Sequence, residues 1–269
     1  MCGAVRVLVF VAAASLAFLP ATSPTFADGF KAGGTGSATE LLRVMGVLYA
    51  ERTNNFIEVV PSLGSSGALR AIADGVIDLA VAARPLKSDE EAKGLGVALT
   101  VRSPFVMATS HQEPNGLTVP EIVAAFASAD ARWHDGVPIR IILRPRAESD
   151  TLLMNELFPL LAPAMDRARR RAEVPVAATD QDNADMAEQI SGSLVASTAT
   201  QLLLERRKLR AVAIDGVQPT LANFERGAYP FGKTLYLVVR RQPNPPLDGF
   251  IAFLRSAEGK AALRAANLL

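Results

Sequence analysis

The sequence predicts an α/β protein of the doubly wound type. Apolar residues at helical spacing alternate with short, near-continuous apolar runs. Glycine and small polar residues punctuate the alternation. The chain of 269 residues is 49% hydrophobic and 20% charged, a globular composition and long enough for one large domain or two ordinary ones.

The first segment reads as an address. Arg6 is positively charged, Val7 to Leu19 is almost purely apolar, Pro20 breaks the run, and small residues follow to Ala27. That order is the pattern of a secretory signal peptide over residues 1–27, with cleavage after Ala27 preferred to Ala21. The run falls short of the ~20 apolar residues of a comfortable membrane span. The competing reading is an uncleaved amphiphilic anchor. The expected mature chain is exported and soluble.

The elements then follow in order. Leu41, Leu42, Met45, Leu48 and Tyr49 recur at helical spacing, and Ser37 to Glu40 suit a helix start. Phe56 to Val60 is a short strand. Gly64-Ser65-Ser66-Gly67 is a loop before a helix that ends at Gly75, and Val76 to Ala82 is a strand covered on both faces. Phe105–Thr109 is a strand, Pro120–Phe126 a helix, Ile139–Leu143 a strand, and Thr151–Leu161 a helix stopped before Pro163. Leu194–Ser197 and Leu209–Ile214 are strands flanking a helix over Thr198–Lys208, and Asp215-Gly216 makes a turn. Thr234–Val239 is a strand, and Leu247–Leu263 holds two closing helices. This alternation places helices on both faces of a sheet.

Composition excludes several function classes. Lys and Arg total 28, Asp and Glu 27, so a net charge of +1 offers no broad electrostatic attraction for nucleic acid. The one cysteine, Cys2, lies in the leader, so the mature chain has no disulfide framework, thiolate metal site or thiol nucleophile. A cysteine-free exported chain suits a bacterial periplasm. His111 and His134 are too few for a three-histidine zinc site.

Three loops share one context. Gly34-Thr35-Gly36-Ser37, Gly64-Ser65-Ser66-Gly67 and Ser149-Asp150-Thr151 each follow an extended segment and open a helix. A helix N-terminus has unpaired N–H groups and about +0.5 charge, glycine allows close approach, and Ser or Thr adds a hydroxyl donor. Together they suggest convergence on an oxyanion, in the crevice beyond the carboxyl ends of the strands. No lysine completes a P-loop, and Gly34-x-Gly36 lacks the third glycine of a dinucleotide fingerprint.

With Asp78 to Leu86, Arg144, Ala213 to Val217, Pro219-Thr220, Tyr229-Pro230, Phe250 and Glu258-Gly259, these loops resemble the phosphate-binding solute receptors of ABC importers, within the type II periplasmic binding protein superfamily. The resemblance runs from about Gly33 to Leu269. It implies two doubly wound lobes joined by two crossing hinge strands, with residues 28–107 and 212–269 in lobe I and 108–211 in lobe II. It implies a ligand set of Ser37, the Ala38 amide and Ser65 from lobe I, with Arg144, Ser149, Asp150 and Thr151 from lobe II. It also implies a periplasmic monomer that needs no cofactor or metal and passes its anion to an importer permease in the inner membrane.

Two departures bear on selectivity. Many relatives have Asp or Ser where this chain has Ala83; in phosphate receptors that carboxylate accepts the proton of hydrogen phosphate, which sulfate lacks. The third loop of relatives reads Ser-Gly-Thr, with Asp150 standing here at the middle position, and Arg144 lies five residues before Ser149. Asp150 takes over the acceptor role missing at Ala83, since a carboxylate beside a dianion is costly unless a proton is shared, or only caps its helix with the carboxylate in solvent; the third alternative is a pocket that has drifted to another small oxyanion or lost binding altogether.

Other residues have readings of their own. Arg167, Arg169, Arg170 and Arg171 form a basic run, read as a solvated helical face rather than a membrane contact. Arg84 and Arg146 are read as ion-pair partners before anion guides. Trp133 and His134 belong to a polar stretch, Asp78 to a hydrogen-bonded position near the hinge, and His111 to a partly exposed loop. The rival functions are an anion sensor or adaptor of the same fold and an exported phosphate-ester hydrolase. The sequence leaves open phosphate, sulfate, molybdate-type anions and small organophosphates.

Overall fold

The computed structural model describes residues 28–61 and 63–269, so the expected leader lies outside the described residues. β1 (Gly29–Gly34) lies parallel to β2 (Phe56–Val59) and to β3 (Leu79–Ala82). α1 (Thr39–Thr53) joins the first two strands and α2 (Gly64–Ala73) the next two. α1 forms where periodicity places it: Leu41, Leu42, Met45 and Tyr49 make its buried face. Asn54 ends it at φ 60, a left-handed conformation that Asn tolerates. Gly64 to Gly67 is the first turn of α2 itself rather than a loop before it.

α3 (Ser88–Glu91) leads into β4 (Leu95–Thr109). Lobe II continues with α4 (Val119–Ala127), β5 (Arg140–Ile141), α5 (Ser149–Leu157), α6 (Leu161–Ala168), α7 (Asp180–Gln189), β6 (Ser193–Thr198), α8 (Ala199–Leu204), β7 (Arg210–Ala211) and α9 (Leu221–Glu225). β8 (Gly232–Arg240), α10 (Pro245–Arg255) and α11 (Ala257–Ala265) close the chain. Pro163 does not stop a helix: it lies in the first turn of α6, where its missing N–H costs no bond.

The strands run in the order β2-β1-β3-β8-β4-β6-β5, with β7 also on β4. β4 joins the halves. Its stretch from Leu95 to Pro104 pairs antiparallel with β8, and Phe105 to Ala108 pairs antiparallel with β6. The expected strand from Phe105 is therefore only the last third of a longer one that passes through Pro104.

Two sets of apolar side chains form the cores. Phe30, Leu41, Met45, Leu237 and Phe250 pack together in lobe I, beside Leu69, Ile72 and Ile77. Phe105, Phe126, Phe158, Leu194 and Tyr229 pack in lobe II. Each large side chain so buried contributes about 1.5–3 kcal/mol. Val212, Ile214, Phe224 and Tyr229 belong to this second core. These four side chains precede β8, which opens at Gly232. Among the described residues no helix is long and apolar enough to cross a membrane.

Candidate functional site

Gly34 ends β1, and Gly36 to Ala38 form a single tight turn into α1. The Thr35 N–H donates to the Val81 carbonyl at 2.9 Å and the Ala38 N–H to the Thr35 carbonyl at 3.0 Å, which fixes the turn. The Ser37 N–H is left pointing across the cleft. It donates to Asp180 Oδ2 of lobe II at 2.7 Å, and the Thr35 hydroxyl donates to the same oxygen at 3.2 Å.

Asp180 is the first residue of α7. Thr179 caps this helix, accepting from the Asp182 N–H while the Asp182 carboxylate accepts from the Thr179 N–H. Gln181 adds a second tie, donating from Nε2 to the Gly36 carbonyl at 3.0 Å. A Cβ built on Gly36 would come within 2.7 Å of Asp180 Oδ2, so this close docking requires glycine there.

Cations surround the carboxylate. Arg144 Nη2 lies 3.2 Å from Asp180 Oδ1 and 3.3 Å from Glu148 Oε1. Lys233, at the start of β8 and 1% exposed, lies 2.5 Å from Asp150 Oδ1. Burial alone would raise the Asp180 carboxyl; Lys233, Arg144, the Ser37 amide and the Thr35 hydroxyl outweigh it and hold the group below the usual Asp range. Burial raises the Asp150 carboxyl, with Lys233 offsetting only part of the effect and Asp180 and Glu148 adding to it. Burial would lower Lys233, but Asp150 and Asp180 outweigh it and keep the ammonium charged. Ser37 Oγ, Arg144 Nε and Arg144 Nη1 are buried without a hydrogen-bond partner among the described residues.

Ser65 and Ser149 line a separate cavity of about 330 Å3 between the lobes, with Arg84 and Glu148. Ser65 Oγ accepts the Ala83 N–H at 2.9 Å, and Ser149 Oγ donates to Glu148 Oε2 at 3.1 Å.

A two-lobed α/β frame thus brings a backbone amide, a hydroxyl and a guanidinium from opposite lobes onto one anionic group. Residues 19–258 match the family model of the PBP superfamily domain. The chain belongs to the PBP superfamily. Solved structures of similar fold include a Clostridium perfringens protein described as a phosphate ABC transporter substrate-binding protein, with phosphate bound; it is 16% identical, with a TM-score of 0.73 over 90% of this chain and 99% of that one. An ABC-type phosphate transport receptor from Vibrio cholerae is 15% identical, with a TM-score of 0.60 over 89% and 99%. A phosphate-binding protein from Stenotrophomonas maltophilia is 12% identical, with a TM-score of 0.64 over 90% of each chain. At these identities the likeness speaks for the fold. No curated protein matches the chain in sequence.

Within this PBP superfamily frame the expected ligand residues divide. Ser37 and Arg144 meet on Asp180, and Asp150 joins them through Lys233. Ser65 and Ser149 both line the neighbouring cavity. The Ala38 amide is tied to Thr35, and the Thr151 hydroxyl donates to the Arg144 carbonyl at 3.4 Å and lines another cavity with Arg146 and Asn155. Asp150 is not turned to solvent as a mere cap: it is 3% exposed, drawn inward by Lys233.

Asp180 and Lys233 were missed by the sequence reading. The Thr179-x-x-Asp182 pair was a legible sign of a helix start. A lone lysine beside Gly232, at the head of an apolar strand, was a sign of a buried partner. Away from the cleft, Trp133 is buried in lobe II, stacks on His111 at 5.0 Å and donates to the Gly192 carbonyl. Asp78 pairs with Arg240 and Arg84 with Glu90, while Arg169 donates to the Arg144 carbonyl.

Proposed function

We propose that the protein is a periplasmic solute receptor that captures a small tetrahedral oxyanion, inorganic phosphate first, and hands it to an ABC importer permease. The single observation that carries this reading is the meeting of the Ser37 amide, the Thr35 hydroxyl and Arg144 on one anionic group at the lobe interface. Such donors bind by charge-assisted hydrogen bonds, about twice as strong as neutral ones. Water excluded from the cleft strengthens them further. The three similar phosphate-associated structures and the signal-like first 27 residues support the same reading. Capture calls for no bond to be made or broken, only closure of two lobes that both touch the anion.

Calorimetric titration with phosphate, sulfate, molybdate and glycerol phosphate tests the proposal. Saturable one-to-one heat with phosphate, stronger than with the others, is expected. No heat with any of the four contradicts it.

A further inference from the structure

We propose that Asp180 is a tethered anion that occupies the oxyanion seat and holds the lobes together until a solute displaces it. The inference rests on the oxyanion-receptor reading above and assigns that site its competitor.

Three of the groups that would bind a solute at this seat are engaged with Asp180. The Ser37 amide and the Thr35 hydroxyl share Oδ2, and Arg144 holds Oδ1. The contact crosses between lobes: Asp180 begins α7 of lobe II, while Thr35 to Ser37 belong to lobe I. Gly36 leaves room for this carboxylate and little else, since an added Cβ would lie 2.7 Å from its oxygen and 2.8 Å from its Cβ. The carboxylate matches the seat only in part. Both of its oxygens are used, yet Ser37 Oγ, Arg144 Nε and Arg144 Nη1 stay buried and unpaired among the described residues. A buried donor without a partner costs about 1–3 kcal/mol, more when charged. An anion with four oxygens has acceptors for donors that a two-oxygen carboxylate leaves unmet, so exchange of Asp180 for such a solute is downhill at the seat. The cost of parting Asp180 from its partners appears as weakened apparent affinity, as for any site whose competent form is a minor population.

Small-angle scattering and calorimetry on wild type, Asp180→Ala and Gly36→Ala test this. Asp180→Ala removes the tethered anion. Gly36→Ala keeps every charge and excludes the carboxylate by size. The wild type is expected to have the same radius of gyration with and without phosphate. Both variants are expected to expand without phosphate, and Asp180→Ala to bind phosphate roughly ten-fold tighter than wild type or better. A wild type that is expanded without phosphate and contracts on adding it overturns the tether while leaving the receptor reading intact. Variants as compact as wild type also overturn it. Variants that expand while no protein binds any oxyanion leave the tether standing and remove the receptor reading.

Discussion

Lys233 Nζ lies 2.5 Å from Asp150 Oδ1, and neither side chain is more than 5% exposed. The pair ties the strand returning to lobe I to the first turn of α5 in lobe II. Taking both charges out of water is costly, so the pair is no guarantee of net stability. Removing one member is a different matter. Lys233→Met leaves Asp150 and Asp180 facing each other with one cation fewer, and a loss of about 3–5 kcal/mol is expected in urea unfolding. Lys233→Met combined with Asp150→Leu should recover much of that loss. A double variant no more stable than the single one would show that the two residues act independently.

In the proposed receptor Arg144, 3.2 Å from Asp180 Oδ1, is the charge partner that lobe II offers a solute. Its planar fork serves two oxygens at once, which an ammonium cannot reproduce. Arg144→Lys is therefore expected to weaken phosphate binding roughly 100-fold, about 2.7 kcal/mol, within the range for charged hydrogen bonds. Equal affinities by calorimetry would remove Arg144 from the seat.

At the hinge the Tyr229 hydroxyl donates to the Phe105 carbonyl at 2.8 Å, inside the lobe II core. Tyr229→Phe keeps the ring and deletes the donor, for an expected loss of about 1 kcal/mol in denaturant unfolding. An unchanged midpoint would mean that the carbonyl finds another partner.

The Arg84 guanidinium holds Glu90 down to about 2, with the Lys87 amide assisting. A carboxyl depressed in the folded state adds stability above its ordinary value near 4.5, and that contribution fades as pH falls through about 2. NMR titration of Glu90 in Arg84→Ala is expected to return most of the way to the ordinary value. A Glu90 that still titrates near 2 would assign the shift to the helix start alone.

The parts that were legible in the sequence are those whose physics is local. Leu41, Leu42, Met45 and Tyr49 declare α1 through periodicity, and Asp215-Gly216 declares a turn that the structure builds with both residues at positive φ. Pro163 misleads because proline breaks an element only where its N–H was needed, and here it lies in the first turn of α6. α7 escapes because its buried residues, Asp180, Asn183, Ala184 and Ala187, form no apolar stripe. The most consequential contact, between Asp180 and Ser37, joins residues far apart in the chain, so no window of sequence contains it.

A crystal structure of the protein grown in phosphate tests the central claim most directly. The account predicts phosphate hydrogen-bonded to the Ser37 amide, the Thr35 hydroxyl and Arg144, with Asp180 withdrawn from that position. Phosphate bound elsewhere, with Asp180 still on the Ser37 amide, would contradict it.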